Sequence, residues 1–297
     1  MGFSSKQITI VGLGLMGASL ALAVRSISAT IVGVDPDPNV RQYALKHGFV
    51  DAASDDLRES VRFADTVILC APVRVVEKIV SGSIGAYLRS NTLLMDIGST
   101  KQDICEVMGR LPIGIQAVGC HPMTGKEVSG IEAADSALYV NRPWVICPTR
   151  RTTPAARIRA LEFVEAIGAI PVEMEAEKHD KVVAAISHLP YLISASLVAT
   201  VQRAASKTPE VWELAAGGFR DTSRMAGSDI RMMSDILSTN TQAVATVLAM
   251  FRVQLGILET MLISKDEEQL AEALIPLRQQ RVEWFESYER RRNVNNR

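Results

Sequence analysis

His121 is the residue whose type and setting best suit proton transfer. It follows the strand-like run Ile115–Cys120 and is itself followed by Pro122, with Gly119 and Gly125 on either side. An imidazole titrates near neutral pH and can therefore take up or return a proton at the end of a strand. A structural role is the alternative for a lone histidine, but the position and the flanking glycines favour function.

Cys120 raises a second possibility, a thiol nucleophile. Neighbouring residues on a strand point to opposite faces, so we favour a buried structural thiol beside a functional His121. Cys70, Cys105 and Cys147 also stand alone, and the chain has no C-x-x-C pattern. Lone cysteines of this kind indicate reduced thiols, and we expect a cytoplasmic protein.

A glycine-rich turn near the start of the chain has the spacing of a dinucleotide site. The apolar run Ile8–Val11 stops at Gly12, and an Ala/Leu-rich helical pattern follows. In the G-x-G-x-x-G motif the three glycines allow a tight turn, a close approach of the pyrophosphate and close helix packing, while the helix N-terminus attracts the phosphates. The predicted cofactor-binding residues are Gly12, Leu13, Gly14, Leu15, Met16 and Gly17; an incidental glycine turn is the alternative.

Asp35 ends the second strand-like run, Thr30–Val34. A carboxylate about 20 residues beyond the glycines accepts hydrogen bonds from the adenosine ribose. It also repels a 2′-phosphate, so we expect NAD rather than NADP.

Ser99 follows another strand-like run, Thr92–Asp96. Ligands of open α/β sheets lie beyond the carboxyl ends of the strands, so Ser99 is expected at the nicotinamide end of the cleft. Ser99 or Thr100 also fits a helix N-cap, and the two interpretations are compatible.

These residues require a sheet that carries them on one edge. Strand and helix patterns alternate up to Met174, which predicts a doubly wound parallel sheet, and helical patterns follow from Ala176. We therefore predict an α/β fold, with a Rossmann domain at 1–175 and an all-α dimerisation and substrate domain at 176–297. A helix is expected over 177–205, with a kink at His188 caused by Pro190.

Composition narrows the class of protein. The chain has 297 residues, 47% hydrophobic and 22% charged, with a net charge of −1. This charge argues against a nucleic-acid surface, and we expect no metal site, no membrane span and no signal peptide. The apolar helical pattern over 241–262 needs another surface, and a second copy of the chain would provide it.

Several segments carry a family likeness: Gly12–Gly17, Gly98–Lys101, Gly119–Gly125, Ser187–Pro190 and Gly217–Arg224. The chain resembles the prephenate and arogenate dehydrogenases of tyrosine biosynthesis along nearly its whole length. The resemblance implies oxidative decarboxylation of prephenate to 4-hydroxyphenylpyruvate with reduction of NAD⁺, in a dimer. Arogenate, or both substrates, is the alternative.

The resemblance also implies roles for individual residues. His121 matches the catalytic histidine, and Ser99 matches a serine that hydrogen-bonds this histidine and the substrate hydroxyl. Arg224 matches the arginine that binds a substrate carboxylate, and His188 matches a substrate-side histidine. Arg220 lies four residues before Arg224, on the same face if the segment is helical, and is expected to assist it. A surface ion pair is the alternative for either arginine. Some members carry a further histidine where this chain has Tyr191, which leaves the contacts to the substrate side chain open.

Two other classes of protein share part of the pattern. β-Hydroxyacid dehydrogenases resemble the chain at Gly12–Gly17, but they use a catalytic lysine in a motif that the helical half lacks. A non-catalytic NAD-sensing protein would not need His121, Ser99 and Arg224 together.

Overall fold

The computed structural model describes residues 2–126 and 128–294. The chain divides into two compact units, Met1–Thr241 and Gln242–Arg297. The first unit therefore contains the sheet together with the first helices of the predicted helical domain. The predicted boundary after residue 175 subdivides this unit and stays a prediction.

The first unit is built on one eight-stranded sheet in the order β3-β2-β1-β4-β5-β6-β7-β8. The strands are β1 (Ser5–Val11), β2 (Ser28–Val34), β3 (Ala52–Ser54), β4 (Thr66–Leu69), β5 (Leu93–Asp96), β6 (Gln116–Pro122), β7 (Pro143–Pro148) and β8 (Ile170–Glu173). Every residue of β4 and β5 is buried, as expected for strands covered by helices on both faces. The predicted α/β fold with a doubly wound sheet is confirmed.

One strand pair departs from the predicted parallel arrangement. β6 and β7 are antiparallel, with His121 opposite Val145. A parallel connection needs a crossover, usually a helix, and the described residues between these two strands form no helix longer than the 3₁₀ turn Ile131–Ala133. β7 therefore returns beside β6 in the opposite direction.

The helices of the sheet region are α1 (Leu15–Ala23), α2 (Pro38–Lys46), α3 (Leu57–Val61), α4 (Val73–Ser81), α5 (Ile84–Tyr87), α6 (Gln102–Met108) and α7 (Pro154–Ala166). The helices that follow are α8 (Ala176–Val183), α9 (Leu189–Ala205), α10 (Glu210–Glu213), α11 (Gly217–Ser223), α12 (Ile230–Thr239), α13 (Thr241–Ser264) and α14 (Glu267–Val294). Two apolar clusters, one on each face of the sheet, form its core.

The helix predicted over 177–205 is interrupted where the kink was expected. A π-helical segment, Ala184–His188, separates α8 from α9. Pro190 lies in the first turn of α9 and has no N–H for the preceding turn. The wider π turn accommodates this loss and ends on His188, a pattern that is frequent at functional sites.

Two helical stretches, Ala176–Ala205 and Thr241–Ser264, have the length and apolar composition of membrane spans. The expectation of no membrane span is therefore not confirmed and stays a prediction. The first stretch carries buried polar side chains, His179, Asp180 and His188, that bond to other protein groups. Length and composition alone support a span for either stretch.

The second unit consists of α14 and nearly all of α13, which meet at Lys265 with a φ of 57°. Large apolar side chains of α13 are exposed on the single chain, among them Met250, Val253, Leu262 and Ile263.

Candidate active site

Gly12 and Gly17 are required by the packing of the glycine turn. Gly12 has a φ of 95°, and a Cβ there would lie 2.7 Å from the carbonyl oxygen of Cys70. A Cβ on Gly17 would lie 1.8 Å from the carbonyl oxygen of Gly12. Only glycine fits at either position, which keeps α1 directly against the end of β1.

Gly14 differs, because a Cβ there would meet no protein atom within 4 Å. It is the N-cap residue of α1, and no side chain caps this helix end. The first N–H groups of α1 therefore face open space with the positive end of the helix dipole. This space suits a phosphate, and the turn fits the predicted nucleotide.

Asp35 lies beside this turn, directly after β2. Its carboxylate accepts hydrogen bonds from the N–H groups of Leu13, at 2.8 Å, and Asp37, at 3.0 Å. Each oxygen keeps a lone pair for a further donor such as a ribose hydroxyl. The predicted cofactor residues are thus adjacent in space, as a dinucleotide site requires.

His121 lies in β6 and belongs to a chain of three side chains. Its Nδ1 is 2.8 Å from Nε2 of His179, whose Nδ1 is 2.7 Å from Oδ1 of Asp180. His179 and Asp180 are buried in α8, whereas His121 is partly exposed. One end of the chain is thus accessible to a ligand and the other is enclosed.

Asp180 is held by the start of α6. Its Oδ1 accepts the N–H of Lys101 at 2.8 Å, and its Oδ2 accepts the N–H of Gln102 at 2.9 Å. These are N–H groups that a helix end otherwise leaves without a partner. The contact joins α8 to the loop that carries Ser99.

A buried ion pair lies next to this network. Lys101 and Asp96 are both fully buried, and the Lys101 ammonium donates to Oδ2 of Asp96. Asp96 also accepts the N–H of Gly98 at 2.8 Å and the N–H of Cys120 at 3.2 Å. Because Cys120 precedes His121, the pair fixes the backbone of β6 next to the histidine.

His121 is electrically neutral near pH 7. Burial of its ring nitrogens lowers the pKa of His121 well below its usual value, and His179, Lys101 and His188 lower this pKa further. Burial raises the pKa of the Cys120 thiol to about 12, which makes it a poor nucleophile. The preference for His121 over Cys120 therefore agrees with their environments.

His188, at the end of the π segment, is buried and neutral. Burial lowers its pKa to about 4, although the Asp180 carboxylate opposes this shift. Asn240 donates from Nδ2 to the carbonyl oxygen of Asp180 at 2.8 Å, and the same amide lies 3.2 Å from Nδ1 of His188. Nδ1 therefore accepts this hydrogen bond, so the ring proton is on Nε2.

Ser99 is partly exposed just beyond β5, and within the described residues its hydroxyl makes no hydrogen bond. The neighbouring Thr100 hydroxyl bonds that of Thr239 at 2.9 Å instead. Neither side chain caps α6. Ser99 is therefore available to a ligand, and its predicted role stays a prediction.

The two arginines differ in their surroundings. Arg220, in α11, is exposed and pairs with Asp221 at 2.8 Å, as expected of a surface ion pair. Arg224 begins the 3₁₀ turn Arg224–Gly227 and is also exposed. The Arg220 guanidinium holds the pKa of the Asp221 carboxyl below its usual value, and Arg224 adds to this effect. Tyr191 is buried against Met233 and Ile236.

No role was predicted for five residues of this network: His179, Asp180, Asp96, Lys101 and Asn240. The one local signal was the adjacent pair His179-Asp180 on a predicted helix, and an adjacent pair does not reveal its partners. Across the described residues, no group of histidine, cysteine and carboxylate side chains could hold a metal ion.

Comparison with known sequences decides the family. A profile described as prephenate dehydrogenase, nucleotide-binding domain, matches residues 19–173. A second, described as prephenate dehydrogenase, dimerization domain, matches residues 175–275. The chain belongs to the prephenate dehydrogenase family. The predicted family is confirmed.

Individual relatives agree with this membership. The cyclohexadienyl dehydrogenase of Zymomonas mobilis is 35% identical over 90% of this chain and 92% of its own length. The prephenate dehydrogenase of Bacillus subtilis is 36% identical over 78% of this chain but only 64% of its own length. A crystal structure of prephenate dehydrogenase from A. aeolicus, in complex with hydroxyphenyl propionate and NAD⁺, superimposes with a TM-score of 0.86 at 29% identity. It covers 95% of this chain and 99% of that one.

Proposed function

We propose that this member of the prephenate dehydrogenase family oxidises prephenate with NAD⁺ to 4-hydroxyphenylpyruvate, CO₂ and NADH. The observation that carries the proposal is the neutral, partly exposed His121 at the end of β6. β1, β2, β5 and β6 are mutually parallel. His121, the glycine turn, Asp35 and Ser99 therefore share one edge of the sheet, where α/β folds bind ligands.

The cofactor is NAD. Residues Gly12–Gly17 would hold its pyrophosphate and Asp35 its adenosine ribose. When bound, NAD⁺ supplies the hydride acceptor. The protein's own groups have to orient the substrate and handle its proton.

His121 is the proposed proton acceptor. As hydride leaves C4 of the substrate ring, the C4 hydroxyl becomes a carbonyl and its proton passes to the imidazole. Loss of the ring carboxylate as CO₂ then turns that carbonyl into a phenolate, which takes a proton back. The reaction releases no net proton, so His121 only has to hold one briefly. Ser99, with its available hydroxyl, would hydrogen-bond the same oxygen.

Prephenate carries two carboxylates, which require positive charge or hydrogen-bond donors. Arg224 is proposed to bind one of them, because a guanidinium binds a carboxylate through two parallel hydrogen bonds. The Nε2–H of His188 is a further donor. Arg220 is a weaker candidate, since Asp221 already occupies its guanidinium.

Arogenate is the second candidate substrate, because the Zymomonas mobilis relative is named a cyclohexadienyl dehydrogenase. It differs from prephenate only in carrying an amino group in place of the side-chain keto group. Tyr191 does not decide between them, because it is packed against apolar neighbours.

We also propose that the chain acts as a cytoplasmic homodimer. The match to a dimerization domain over residues 175–275 supports the homodimer, as do the exposed apolar side chains of α13. A partner subunit on this surface would remove them from water. Sedimentation of the purified protein should give twice the 32.3 kDa chain mass.

The decisive assay measures reduced cofactor with prephenate or arogenate and with NAD⁺ or NADP⁺. We expect turnover with prephenate and NAD⁺, reduced by about 100-fold or more in His121→Asn. His47→Asn, a change at an exposed histidine on the end of α2, is the matched control. Absence of turnover with both substrates would reject the proposed function, and near-normal turnover of His121→Asn would reject the role of this residue.

A further inference from the structure

We infer that His179 and Asp180 are positioning residues that set the tautomer of His121 and stabilise its charged form. The inference rests on the proposed function, in which His121 accepts a proton. It is carried by the two hydrogen bonds of the chain His121–His179–Asp180, at 2.8 and 2.7 Å.

The direction of the chain follows from its buried end. The two oxygens of Asp180 accept the backbone N–H groups of Lys101 and Gln102, so this carboxylate acts only as an acceptor. Nδ1 of His179 must therefore donate to it. In a neutral His179 ring the proton is then on Nδ1, and Nε2 has a lone pair.

The lone pair on Nε2 of His179 determines the tautomer of His121. Its Nδ1 faces Nε2 of His179 and must carry the proton of this hydrogen bond. The other nitrogen, Nε2, is then unprotonated and can act as a base. A free neutral histidine side chain favours the tautomer protonated at Nε2, so without its partners His121 would present an N–H where a base is required.

The same chain stabilises the charged intermediate state. When the O–H bond of the substrate breaks and an N–H bond forms at Nε2 of His121, the ring becomes an imidazolium next to the Lys101 ammonium. His179 accepts a stronger hydrogen bond from this ring, and the negative charge of Asp180 lies behind it. Both bonds reverse when the proton returns to the phenolate oxygen.

A purely structural role is the alternative, because Asp180 also holds the start of α6. The two roles differ in their effect on the ring nitrogens. Nitrogen-15 NMR of the histidine side chains reads the tautomer directly, and the chain has only four histidines to assign. We expect a protonated Nδ1 and an unprotonated Nε2 for His121 in the wild type. In His179→Phe we expect the opposite tautomer.

Kinetics supply the second test. His179→Phe should lower kcat by about 100-fold, with KM for prephenate and the affinity for NAD⁺ changed by less than about threefold. His179→Gln should recover part of this loss, since its amide oxygen can accept from Nδ1–H of His121. In the His121→Asn background, His179→Phe should have no further effect on kcat, because His179 acts through His121.

The results separate the two proposals. If the wild type turns over and His179→Phe lowers kcat equally in both backgrounds, or leaves kcat unchanged, the positioning role is wrong and the proposed function stands. If the wild type uses neither substrate, the proposed function is wrong, and the NMR measurement still decides the tautomer. A wild-type His121 protonated at Nε2 and not at Nδ1 would overturn the inference in either case.

Discussion

Gly14 and Gly17 lie three positions apart in one turn, and an added methyl group should have opposite consequences at the two sites. At Gly17 the new Cβ would lie 1.8 Å from the Gly12 carbonyl oxygen and 3.1 Å from Cβ of Cys70. At Gly14 it would meet no protein atom within 4 Å. Gly17→Ala should therefore damage the fold, whereas Gly14→Ala should damage nucleotide binding.

The magnitudes follow from these distances. The contact at Gly17 is with backbone, so α1 must move away from β1, at a cost of about 3 kcal/mol, the upper part of the range for overpacking. In a domain of this size that lowers the Tm by about 6–12 °C. Gly14 has a φ of −67°, which alanine adopts without strain. The loss of an N-cap glycine should cost less than about 1 kcal/mol.

Gly14→Ala, the milder change for stability, should be the more severe change for nucleotide binding. A methyl group at Gly14 would occupy the space beside the free N–H groups of α1. Loss of one charge-assisted hydrogen bond costs about 1.5–3 kcal/mol, which raises the Kd for NAD⁺ by about 10- to 150-fold. Wild-type protein should gain Tm as NAD⁺ is added, and Gly14→Ala should gain far less at the same concentration.

The assay is thermal unfolding with and without NAD⁺, combined with calorimetric titration of the nucleotide. Gly2→Ala is a matched control, because a Cβ there also meets no protein atom and Gly2 lies outside the turn. Wild-type affinity in Gly14→Ala would refute the assignment of the phosphate site. A wild-type Tm in Gly17→Ala would refute the packing argument.

Three further predictions concern charge. Asp35→Ser should raise kcat/KM for NADP⁺ by about tenfold, since the carboxylate no longer repels the 2′-phosphate; wild-type protein that uses both cofactors equally would contradict the assignment. Arg224→Ala should raise KM for prephenate by about 10- to 100-fold. Arg62→Ala, the same change at another exposed arginine, should leave KM unchanged. A KM of Arg224→Ala equal to that of the wild type would reject Arg224 as a carboxylate ligand. The pKa of His188 is lowered to about 4 in the folded chain, so as the pH falls this histidine takes up a proton in the unfolded chain before it does so in the folded chain. Stability should thus drop between about pH 6.5 and pH 4 by up to roughly 3 kcal/mol, and His188→Gln should remove this part of the pH dependence of chemical unfolding.

The sheet and the glycine turn were predictable because their signals are local. A buried parallel strand needs a short apolar run, and the turn after β1 needs glycine at positions that the sequence shows directly. The antiparallel β7 was missed because strand direction depends on how the chain between β6 and β7 folds back. β3, a strand of three residues, was missed because so short a segment has little pattern of its own.

The surroundings of His121 show what the sequence could not predict. Its candidacy followed from residue type and from position at the end of a strand. Its pKa is lowered first by burial and then by neighbouring groups, among them His179, which lies 58 positions away in the chain, and Lys101, which is buried against Asp96. A sequence pattern does not report distances between such residues, so the pKa shift and the hydrogen bonds appear only in the folded chain.

By itself the sequence determined the fold class, the glycine turn, Asp35 and the candidates His121, Ser99, His188 and Arg224. These depend on periodicity, on spacing within one turn and on the family likeness of short segments. Tertiary structure alone decided which nitrogen of His121 faces a partner. It also decided that Arg220 forms an ion pair with Asp221, whereas Arg224 lies at the start of a separate turn. The physical reason is that burial and hydrogen bonding act over a few ångströms in space, and folding brings together residues that are far apart in the chain.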